Sequence, residues 1–327
     1  MLALARAMSP PLSPKDPPGP LRRAALRLSV PLLRSSPPWL AVRAYARLAG
    51  ESFYSHGGSG RTATLRLRPH GLPVELFLDD WSERLAYHCG RYYDLEGTAV
   101  VEALLGSGDA FVDVGCNVGM LALTAAVQVG ERGLVIAFDP NPQLCERLRE
   151  TCRANGLARV VVENVALGAE PGAADLSLAE HTGTGTLRGR KGQRSIPTAV
   201  RTLDEFLERV PPGAFALVKL DVEGYEGMVL RGARAFLRRP GTGALVEVTD
   251  SWLRETGSSA DELFDTLAAG GFSLYRPSVG PSSRLSLTPL ARPLEGVAQY
   301  DVVGLRPSER DAWAARLRRA GVRLPAG

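Results

Sequence analysis

The feature that most constrains the fold is a series of apolar segments that alternate with helical patterns between residues 111 and 270. The expected strands are FVDV (111–114), LVIAF (134–138), VVVEN (160–164), FALVKL (215–220) and ALVEV (244–248). Helices are expected at 118–128, 142–154, 225–237 and 260–269, with a short helix at 202–210 (TLDEFLERV). Strands that alternate with helices are typical of a mostly parallel sheet covered on both faces. The sequence therefore predicts an α/β fold, with FSLY and YDVVGL closing the sheet and a β-rich excursion over 174–200.

The first 95 residues do not share this pattern. Residues 8–20 contain six prolines, which predicts a disordered leader over 1–20. An extension over 21–95 follows, with two short amphipathic helices in 21–49 and a hairpin around PHGLP. Two interpretations of these helices are open: packing on the domain, or contact with a membrane surface. The α/β domain is expected over 96–306, and a C-terminal helix and tail over 307–327.

Charge is distributed unevenly along the chain. The first 50 residues hold eight basic residues and one acidic residue, a net +7, so the other 277 residues carry −3 of the total +4. A folded domain that binds nucleic acid would concentrate Lys and Arg on itself, so nucleic-acid binding is not expected. The basic N-terminus is compatible with weak contact to an anionic membrane surface. Arg27, Pro31 and Arg34 interrupt the apolar stretches near the start, so no membrane-spanning helix is predicted.

Four cysteines, Cys89, Cys116, Cys145 and Cys152, form no CxxC pair. This spacing indicates neither a zinc ribbon nor a disulfide framework, and no His and Cys cluster suggests another metal site. We therefore expect no metal, with a divalent ion at the carboxylates of Asp221 and Glu223 as the open alternative. We also expect a cytoplasmic protein, with membrane association as the open alternative.

The segment FVDVGCNVGM (111–120) is a strand that ends near an acid and turns through glycines into a helix. Ligands of open α/β sheets bind at the carboxyl ends of strands, near the switch point. A dinucleotide site requires GxGxxG, but Asn117 and Met120 stand where glycines are needed. The pattern D-x-G-x-N-x-G suits S-adenosylmethionine, whose ammonium can meet Asp113 and whose carboxylate can meet the helix N-terminus. The alternative is structural: Asp113 caps the turn, while Gly115 and Gly119 allow tight packing.

Two further strand ends carry candidate cofactor residues. Asp139 ends the second strand, 24 residues after Gly115, where a carboxylate can accept both hydroxyls of an adenosine ribose. Its alternative role is the N-cap of the next helix. Asn164 and Ala166, together with Glu163, follow the third strand, where an adenine edge is expected; an ordinary loop is the alternative.

The fourth strand ends in LVKLDVEGYEG, with Lys219, Asp221 and Glu223 alternating at the carboxyl edge. Either the two acids position an acceptor and remove its proton, or Lys219 forms a buried ion pair with one of them. Glu247, at the end of the next strand, is a lesser candidate. His181 lies in a Gly- and Thr-rich loop that could close over an acceptor. It is a third candidate base, and a solvated loop residue is the alternative.

Six ordered blocks resemble the FkbM-type S-adenosylmethionine-dependent methyltransferases. They are FVDVGCNVG, VIAFDPNP, VENVALG, TLDEFL, LVKLDVEGYEGMVLRGA and LVEV. The resemblance implies a Rossmann-like class I methyltransferase fold that methylates hydroxyls of sugars, glycolipids or polyketides. It assigns S-adenosylmethionine to Asp113, Gly115, Asn117, Gly119, Asp139 and Asn141, and the reaction site to Asp221, Glu223 and Gly224. The chain departs from the family at Asp139, where glutamate is usual, and at Cys116, where alanine is usual.

Three other functions are compatible with the sequence. A methyltransferase of this fold can act on nitrogen or carbon of a protein or small molecule. A non-catalytic S-adenosylmethionine-binding protein could dock on a membrane through the basic N-terminus. A nicotinamide dehydrogenase is disfavoured by Asn117 and Met120. The favoured prediction is O-methylation of a small-molecule, glycan or glycolipid acceptor.

Overall fold

The computed structural model describes residues 19–50, 60–68, 70–178, 185–186, 195–280 and 284–322. The chain divides into two compact units. One comprises Met1–Leu95 and Val279–Ser283, and the other comprises Glu96–Ser278 and Arg284–Gly327. Residues 1–18, which make up most of the expected leader, lie outside the described residues.

The described part of the first unit consists of α1 (Pro20–Ser35), α2 (Pro38–Ala49), β1 (Thr62–Leu67), β2 (Leu72–Phe77) and α3 (Trp81–Cys89). Pro38 occupies the first turn of α2, where a missing N–H removes no helical hydrogen bond. Asp80 caps α3 by accepting hydrogen bonds from the amides of Ser82 (2.7 Å) and Glu83 (3.0 Å). The two helices and the hairpin predicted for this region are confirmed.

The remaining helices and strands are α4 (Leu95–Leu104), β3 (Ala110–Val114), α5 (Met120–Val129), β4 (Leu134–Phe138), α6 (Pro142–Ala154), β5 (Val160–Glu163), β6 (Ala166–Leu167), β7 (Gly172–Leu178), β8 (Gly185–Thr186), β9 (Ser195–Arg201), β10 (Ala216–Leu220), α7 (Glu226–Arg231), α8 (Arg234–Arg238), β11 (Thr242–Val248), α9 (Asp250–Glu255), α10 (Ala260–Ala269), β12 (Ser273–Val279), β13 (Leu285–Pro289), β14 (Tyr300–Leu305) and α11 (Arg310–Arg319). Short 3₁₀ helices lie at Leu203–Arg209 and Pro307–Glu309. The predicted alternation of strands and helices is confirmed. Within the described ranges, no helix has both the length and the apolar character needed to cross a bilayer.

Eight strands form one sheet in the order β13-β12-β14-β11-β10-β3-β4-β5. The strands from β11 to β5 run parallel, whereas β14 is antiparallel to β11 and β12. Every residue of β3, β4 and β10 is buried, as expected for parallel strands covered by helices on both faces. The predicted Rossmann-like α/β fold is confirmed. The chain proceeds outward from β3 to β5 on one side and from β10 to β11 on the other, so the switch point lies between β3 and β10.

The β-rich excursion predicted over 174–200 forms a separate four-stranded sheet in the order β6-β9-β7-β8. β7 and β9 pair antiparallel, from Gly172 opposite Val200 to Ser177 opposite Ser195. Residues 179–184 and 187–194 lie outside the described residues. The candidate base His181 belongs to the first of these segments, so the structure does not place it.

The segment TLDEFLERV forms a 3₁₀ helix instead of the expected regular helix. Its start is fixed by Glu205, whose Oε1 accepts hydrogen bonds from the amide (2.8 Å) and the hydroxyl (3.1 Å) of Thr202. Its middle is fixed by Phe206, which is buried edge-on against Phe138 with ring centroids 4.7 Å apart. The capping contacts of Glu205 therefore fix where the helix begins, and Phe206 packs it against β4.

The single helix predicted over 225–237 is wrong, because the segment forms two helices, α7 and α8. Between them Gly232 approaches Gly168 so closely that a Cβ would overlap the Gly168 carbonyl oxygen. Asp204 then caps α8 by accepting from the amides of Ala235 (3.0 Å) and Phe236 (2.8 Å). The break depends on residues distant in sequence, which a helical periodicity does not report. α9 and β13 are also present without having been predicted.

Candidate active site

The carboxyl ends of β3 and β10 bring together charged residues from adjacent strands. Asp113 and Lys219 are partners in the parallel register, so their side chains leave the sheet on the same face. Lys219 Nζ lies 3.4 Å from Asp113 Oδ1 and 3.1 Å from Asp221 Oδ2. It also donates a hydrogen bond to the Gly115 carbonyl oxygen at 3.4 Å. The ion pair that was one alternative for Lys219 is thus present, and it joins Asp113 as well as Asp221.

The Asp113 carboxylate is enclosed by the protein. Neither of its oxygens makes a hydrogen bond of standard geometry. Burial raises the pKa of Asp113, the Lys219 ammonium lowers it, and the charge of Asp221 raises it. A buried carboxylate with unfilled acceptor positions is costly unless a cation lies beside it. Asp113 is therefore held beneath the turn by Lys219 and does not face solvent.

The turn after β3 has left-handed backbone angles at Gly115 (φ 78°), Asn117 (φ 52°) and Gly119 (φ 79°). At Gly115 a Cβ would overlap the Asp221 carbonyl oxygen, and at Gly119 it would overlap the Leu148 side chain. Both glycines are therefore required by close packing. Asn117 holds the same conformation at a cost on the order of 1 kcal/mol, and strain of this kind concentrates at functional sites.

Asp139 ties this turn to the end of β4. Its Oδ1 accepts a hydrogen bond from the Asn141 amide (2.8 Å), and its Oδ2 accepts one from the Asn117 amide (2.9 Å). Burial raises the pKa of Asp139 to about 7, while the two amides lower it. Each carboxylate oxygen has a second lone pair, so bonds from a ligand are compatible with this arrangement. The N-cap of α6 is Asn141, which accepts from the Gln143 amide at 3.0 Å, so the alternative role of Asp139 as that cap is wrong.

The three candidate residues predicted after the third strand, Glu163, Asn164 and Ala166, contact different parts of the fold. Asn164 Nδ2 donates to the Asp139 carbonyl oxygen at 3.0 Å. The Glu163 side chain pairs with Arg209. Ala166 opens β6 and is buried in the smaller sheet. Asn164 is thus brought to the candidate cofactor site, whereas Ala166 belongs to the pairing of β6 with β9.

A second strained turn follows β10. Glu223 (φ 56°) and Gly224 (φ 97°) are both left-handed. At Gly224 a Cβ would lie 2.6 Å from the Trp252 carbonyl oxygen, and Thr256 Oγ1 donates to the Gly224 carbonyl oxygen at 2.6 Å. In the part of the chain that the structure describes, Asn117 and Glu223 are the only non-glycine residues with positive φ. They follow neighbouring strands at the same edge of the sheet.

Glu226 is a residue of this site that sequence reasoning missed. Its Oε1 accepts hydrogen bonds from the amides of Val222 (2.9 Å) and Gly224 (3.2 Å), whereas its Oε2 is buried without a hydrogen-bond partner. Burial raises the pKa of Glu226 to about 7, although these amides lower it. Glu226 therefore fixes the turn that carries Asp221 and Glu223. The signal that could have identified it is an acid in the first turn of a helix after a glycine, where carboxylates bind free amides.

Strands β11 and β14 also carry acidic side chains near this site. Glu247 lies opposite Asp301 in the register of these strands, and it accepts a hydrogen bond from Gln299 Nε2. Burial, and then the charges of Asp221 and Asp301, raise the pKa of Glu247 well above its ordinary value. No group of three Asp, Glu, His or Cys side chains among the described residues is arranged to hold a metal ion. The absence of a metal from the reaction stays a prediction.

The two strand ends fall within a region that matches a known family. The family model of the methyltransferase FkbM domain matches residues 113–274, about half of the chain. This chain carries an FkbM-type methyltransferase domain. S-adenosylmethionine is the cofactor of this FkbM-type domain. No curated protein matches the chain with significance.

Many solved structures are similar to the chain, and three of them illustrate the similarity. The FkbM methyltransferase of Methylobacillus flagellatus matches at 15% identity and a TM-score of 0.40, over 68% of this chain and 52% of that one. An S-adenosylmethionine-dependent O-methyltransferase of Thermotoga maritima matches at 14% and 0.37, over 65% of each chain. Aeropyrum pernix fibrillarin, solved with natively bound S-adenosyl-L-methionine, matches at 14% and 0.36, over 64% of this chain and 76% of that one. The chain thus spans about half the length of the Methylobacillus flagellatus protein.

The residues at this edge of the sheet fit the cofactor. α5 begins after Gly119 without a side-chain cap, so its first amides can meet a carboxylate. Gly115 and Asn117 are partly exposed. Asp139 keeps acceptor positions for ribose hydroxyls. The assignment of individual residues to S-adenosylmethionine stays a prediction.

Proposed function

We propose that this FkbM-type domain transfers the methyl group of S-adenosylmethionine to a hydroxyl of a sugar, a glycolipid or a polyketide-type small molecule. The observation that carries the proposal is the pair of strained turns at Asn117 and Glu223, which lie on either side of the switch point between β3 and β10. Ligands of open α/β sheets bind at this position. One turn would hold the methyl donor, and the other would present carboxylates to the acceptor.

The donor side would be formed by the turn after β3 and by Asp139. The second lone pairs of the Asp139 carboxylate would accept the ribose hydroxyls, because its first lone pairs already hold the amides of Asn117 and Asn141. The amides at the start of α5 would meet the amino-acid carboxylate. When bound, S-adenosylmethionine supplies a methyl group activated by its sulfonium. Asn164, bonded to the Asp139 carbonyl oxygen, would border the adenine.

The acceptor side would be formed by Asp221 and Glu223. The Asp221 side chain is 37% exposed while its Oδ2 lies 3.1 Å from Lys219 Nζ, so the carboxylate is oriented and still accessible. A sugar hydroxyl is a poor nucleophile, and a base that accepts its proton contributes typically ~10²–10⁴-fold in rate. We assign this role to Asp221, with His181 as a further candidate. Glu223 would hold the acceptor oxygen in line, and positioning of this kind contributes up to ~7–11 kcal/mol.

An amine acceptor is the second candidate. Glu247 and Asp301 add carboxylates near Asp221, and their mutual repulsion contributes to the raised pKa of Glu247. The raised pKa of Glu247 favours its neutral form, so the negative charge comes from Asp221 and Asp301. These charges favour a cationic acceptor, whose nitrogen would lose a proton to Asp221 before methylation. S-adenosylmethionine is itself cationic, so the same charges also suit the donor. The charges thus do not distinguish an amine acceptor from a hydroxyl acceptor. The family resemblance makes a hydroxyl the first choice.

The proposal is tested by incubating the full chain with methyl-labelled S-adenosylmethionine and fractionated cell extract. We expect label in a small-molecule or glycolipid fraction, in a bond that resists mild base as an ether does. Asp221→Asn should lower the rate at least a hundredfold at unchanged donor affinity, because it removes the proton acceptor. Asp311→Asn, an exposed residue of α11, is the matched control and should leave the rate unchanged. Label released by mild base, label found as an N-methyl or C-methyl group in the product, or label confined to protein or nucleic acid would contradict a small-molecule or glycolipid hydroxyl as the acceptor.

A further inference from the structure

Helix α1 has two apolar faces, and no residue that the structure describes covers one of them. Leu26 and Leu33 are buried and pack with α2 and α3. Leu21, Leu28 and Leu32 are instead 89%, 82% and 69% exposed. The spacing of these three leucines, seven and then four residues, places them in one line along the helix. This line spans about 16 Å at the rise of an α-helix.

Helix α2 adds an aromatic residue and two cations on its own exposed face. Trp39 and Leu40 are partly uncovered, at 36% and 42% exposure. Arg43 and Arg47 are exposed and follow Trp39 at four-residue intervals, so they share its face of the helix. The opposite face, which includes Tyr45, is buried. We call the exposed leucines of α1 together with Trp39, Leu40, Arg43 and Arg47 the interfacial face.

The charge of these helices indicates what covers the interfacial face. α1 and α2 contain six arginines and no acidic residue. A second copy of the chain would present the same positive charge to this face, and residues 1–18 carry more basic than acidic residues. The occupant must therefore supply negative charge at its surface and apolar groups just beneath it. A bilayer with anionic headgroups supplies both, and helices with leucine, tryptophan and arginine in this arrangement lie ~5–10 Å deep at its boundary.

We propose that the interfacial face docks this protein on anionic lipid membranes. The leucines enter the boundary between headgroups and acyl chains, Trp39 lies at headgroup level, and Arg43 and Arg47 contact the lipid phosphates. Binding of this kind is peripheral and reversible, and it weakens as salt screens the charges. It does not depend on which acceptor the methyltransferase domain uses.

The test is flotation of the full chain with vesicles of phosphatidylcholine alone or of phosphatidylcholine mixed with phosphatidylglycerol. We expect flotation with the mixed vesicles, and less at higher salt. The pair Leu28→Gln and Leu32→Gln should lower the partition coefficient at least tenfold, which is ~1.4 kcal/mol. The pair Leu28→Met and Leu32→Met should retain binding. Circular dichroism melting establishes that each variant is folded.

The arginines have a matched control on α11. Arg43→Gln with Arg47→Gln should weaken binding to the mixed vesicles about tenfold, because each basic residue near an anionic surface contributes. Arg318→Gln with Arg319→Gln removes the same charge from another exposed helix and should change nothing.

Several outcomes would overturn the proposal. One is absence of flotation, or equal flotation of the two leucine pairs. Another is a chain lacking residues 1–18 that no longer binds, while the glutamine pair still does, since the leader would then be the anchor. A third is self-association that the glutamine pair abolishes without any vesicle binding, because the interfacial face would then contact a second copy or another protein.

Discussion

Asp113 and Lys219 occupy paired positions on adjacent parallel strands, and the ammonium of Lys219 lies 3.4 Å from the Asp113 carboxylate. The same ammonium lies 3.1 Å from Asp221. One buried cation thus joins the strand that begins the proposed donor site to the strand that begins the proposed acceptor site. The two halves of the site are coupled through Lys219.

We expect Lys219→Met to destabilise the fold by ~3–5 kcal/mol, because it leaves the buried Asp113 carboxylate without a cation. The double variant Lys219→Met with Asp113→Asn should recover most of this loss, since the isolated charge is gone. Urea unfolding of the two single variants and the double variant measures the coupling. If Lys219→Met were as stable as the wild type, the ion pair would not hold the strand ends together.

We expect Gly115→Ala to displace the turn, because the new Cβ would overlap the Asp221 carbonyl oxygen. Gly156→Ala is the matched control: Gly156 is also left-handed (φ 65°), but nothing lies within 4 Å of its added Cβ. The control should lose only ~1–2 kcal/mol for the backbone conformation. Unfolding free energies should therefore fall clearly further for Gly115→Ala. Equal losses at the two glycines would contradict the close approach of the two strand ends.

The free energy of unfolding should depend on the protonation of Glu226. Burial raises the pKa of Glu226 from 4.5 to about 7. Between these two pH values the folded chain keeps a proton that the unfolded chain has lost. Stability from this group is present below about pH 4.5 and is lost as the pH rises through about 7. The difference is on the order of 3 kcal/mol. Asp139, whose pKa burial also raises to about 7, acts in the same direction.

Urea unfolding at pH 5 and pH 8 checks this dependence. Glu226→Gln should make the loss of stability toward pH 8 smaller, because the variant has no proton to release. The exposed Glu208→Gln should keep the wild-type dependence. A wild-type stability that rises between these pH values, or a Glu226→Gln variant with the full loss, would show that Glu226 is not buried as described.

The positions of the strands and of the candidate carboxylates could be predicted because both leave local signals. β3, β4 and β10 are apolar runs that end at glycine or acid, and parallel strands collect their carboxyl ends at one edge. Asp113, Asp139 and Asp221 therefore had to lie near one another. The amphipathic pattern of residues 21–49 also predicted the two N-terminal helices.

The contacts among these residues could not be predicted, because they depend on which strands are neighbours. β3 and β10 are about 100 residues apart in the chain, so nothing local pairs Lys219 with Asp113. Glu226 acts through the backbone amides of Val222 and Gly224, whose availability follows from the left-handed turn. The break after α7 follows from the approach of Gly232 to Gly168. The Lys219 pair and the break after α7 depend on tertiary contacts, and the Glu226 contacts depend on the backbone conformation of a turn. The local sequence pattern reports neither.

Asp139→Asn should weaken S-adenosylmethionine binding at least tenfold, a loss of ~1.4 kcal/mol. The asparagine side chain has only one acceptor oxygen, so it can accept from only one of the amides of Asn117 and Asn141. It also lacks the second oxygen that is assigned to the ribose hydroxyls. Asp109→Asn is the control, because Asp109 pairs with Arg316 before β3, at the opposite edge of the sheet. Calorimetry should show unchanged affinity for the control even if its stability falls. Unchanged affinity of a folded Asp139→Asn would remove Asp139 from the cofactor site.

In the proposed function, the edge between β3 and β10 holds the methyl donor against the acceptor carboxylates. A crystal structure of the full chain with S-adenosylhomocysteine tests it most directly. We expect the ribose hydroxyls on Asp139, the amino-acid carboxylate at the start of α5, and the sulfur directed toward Asp221 and Glu223. A nucleoside bound anywhere else on the chain, or an empty edge at a saturating concentration of S-adenosylhomocysteine, would contradict it.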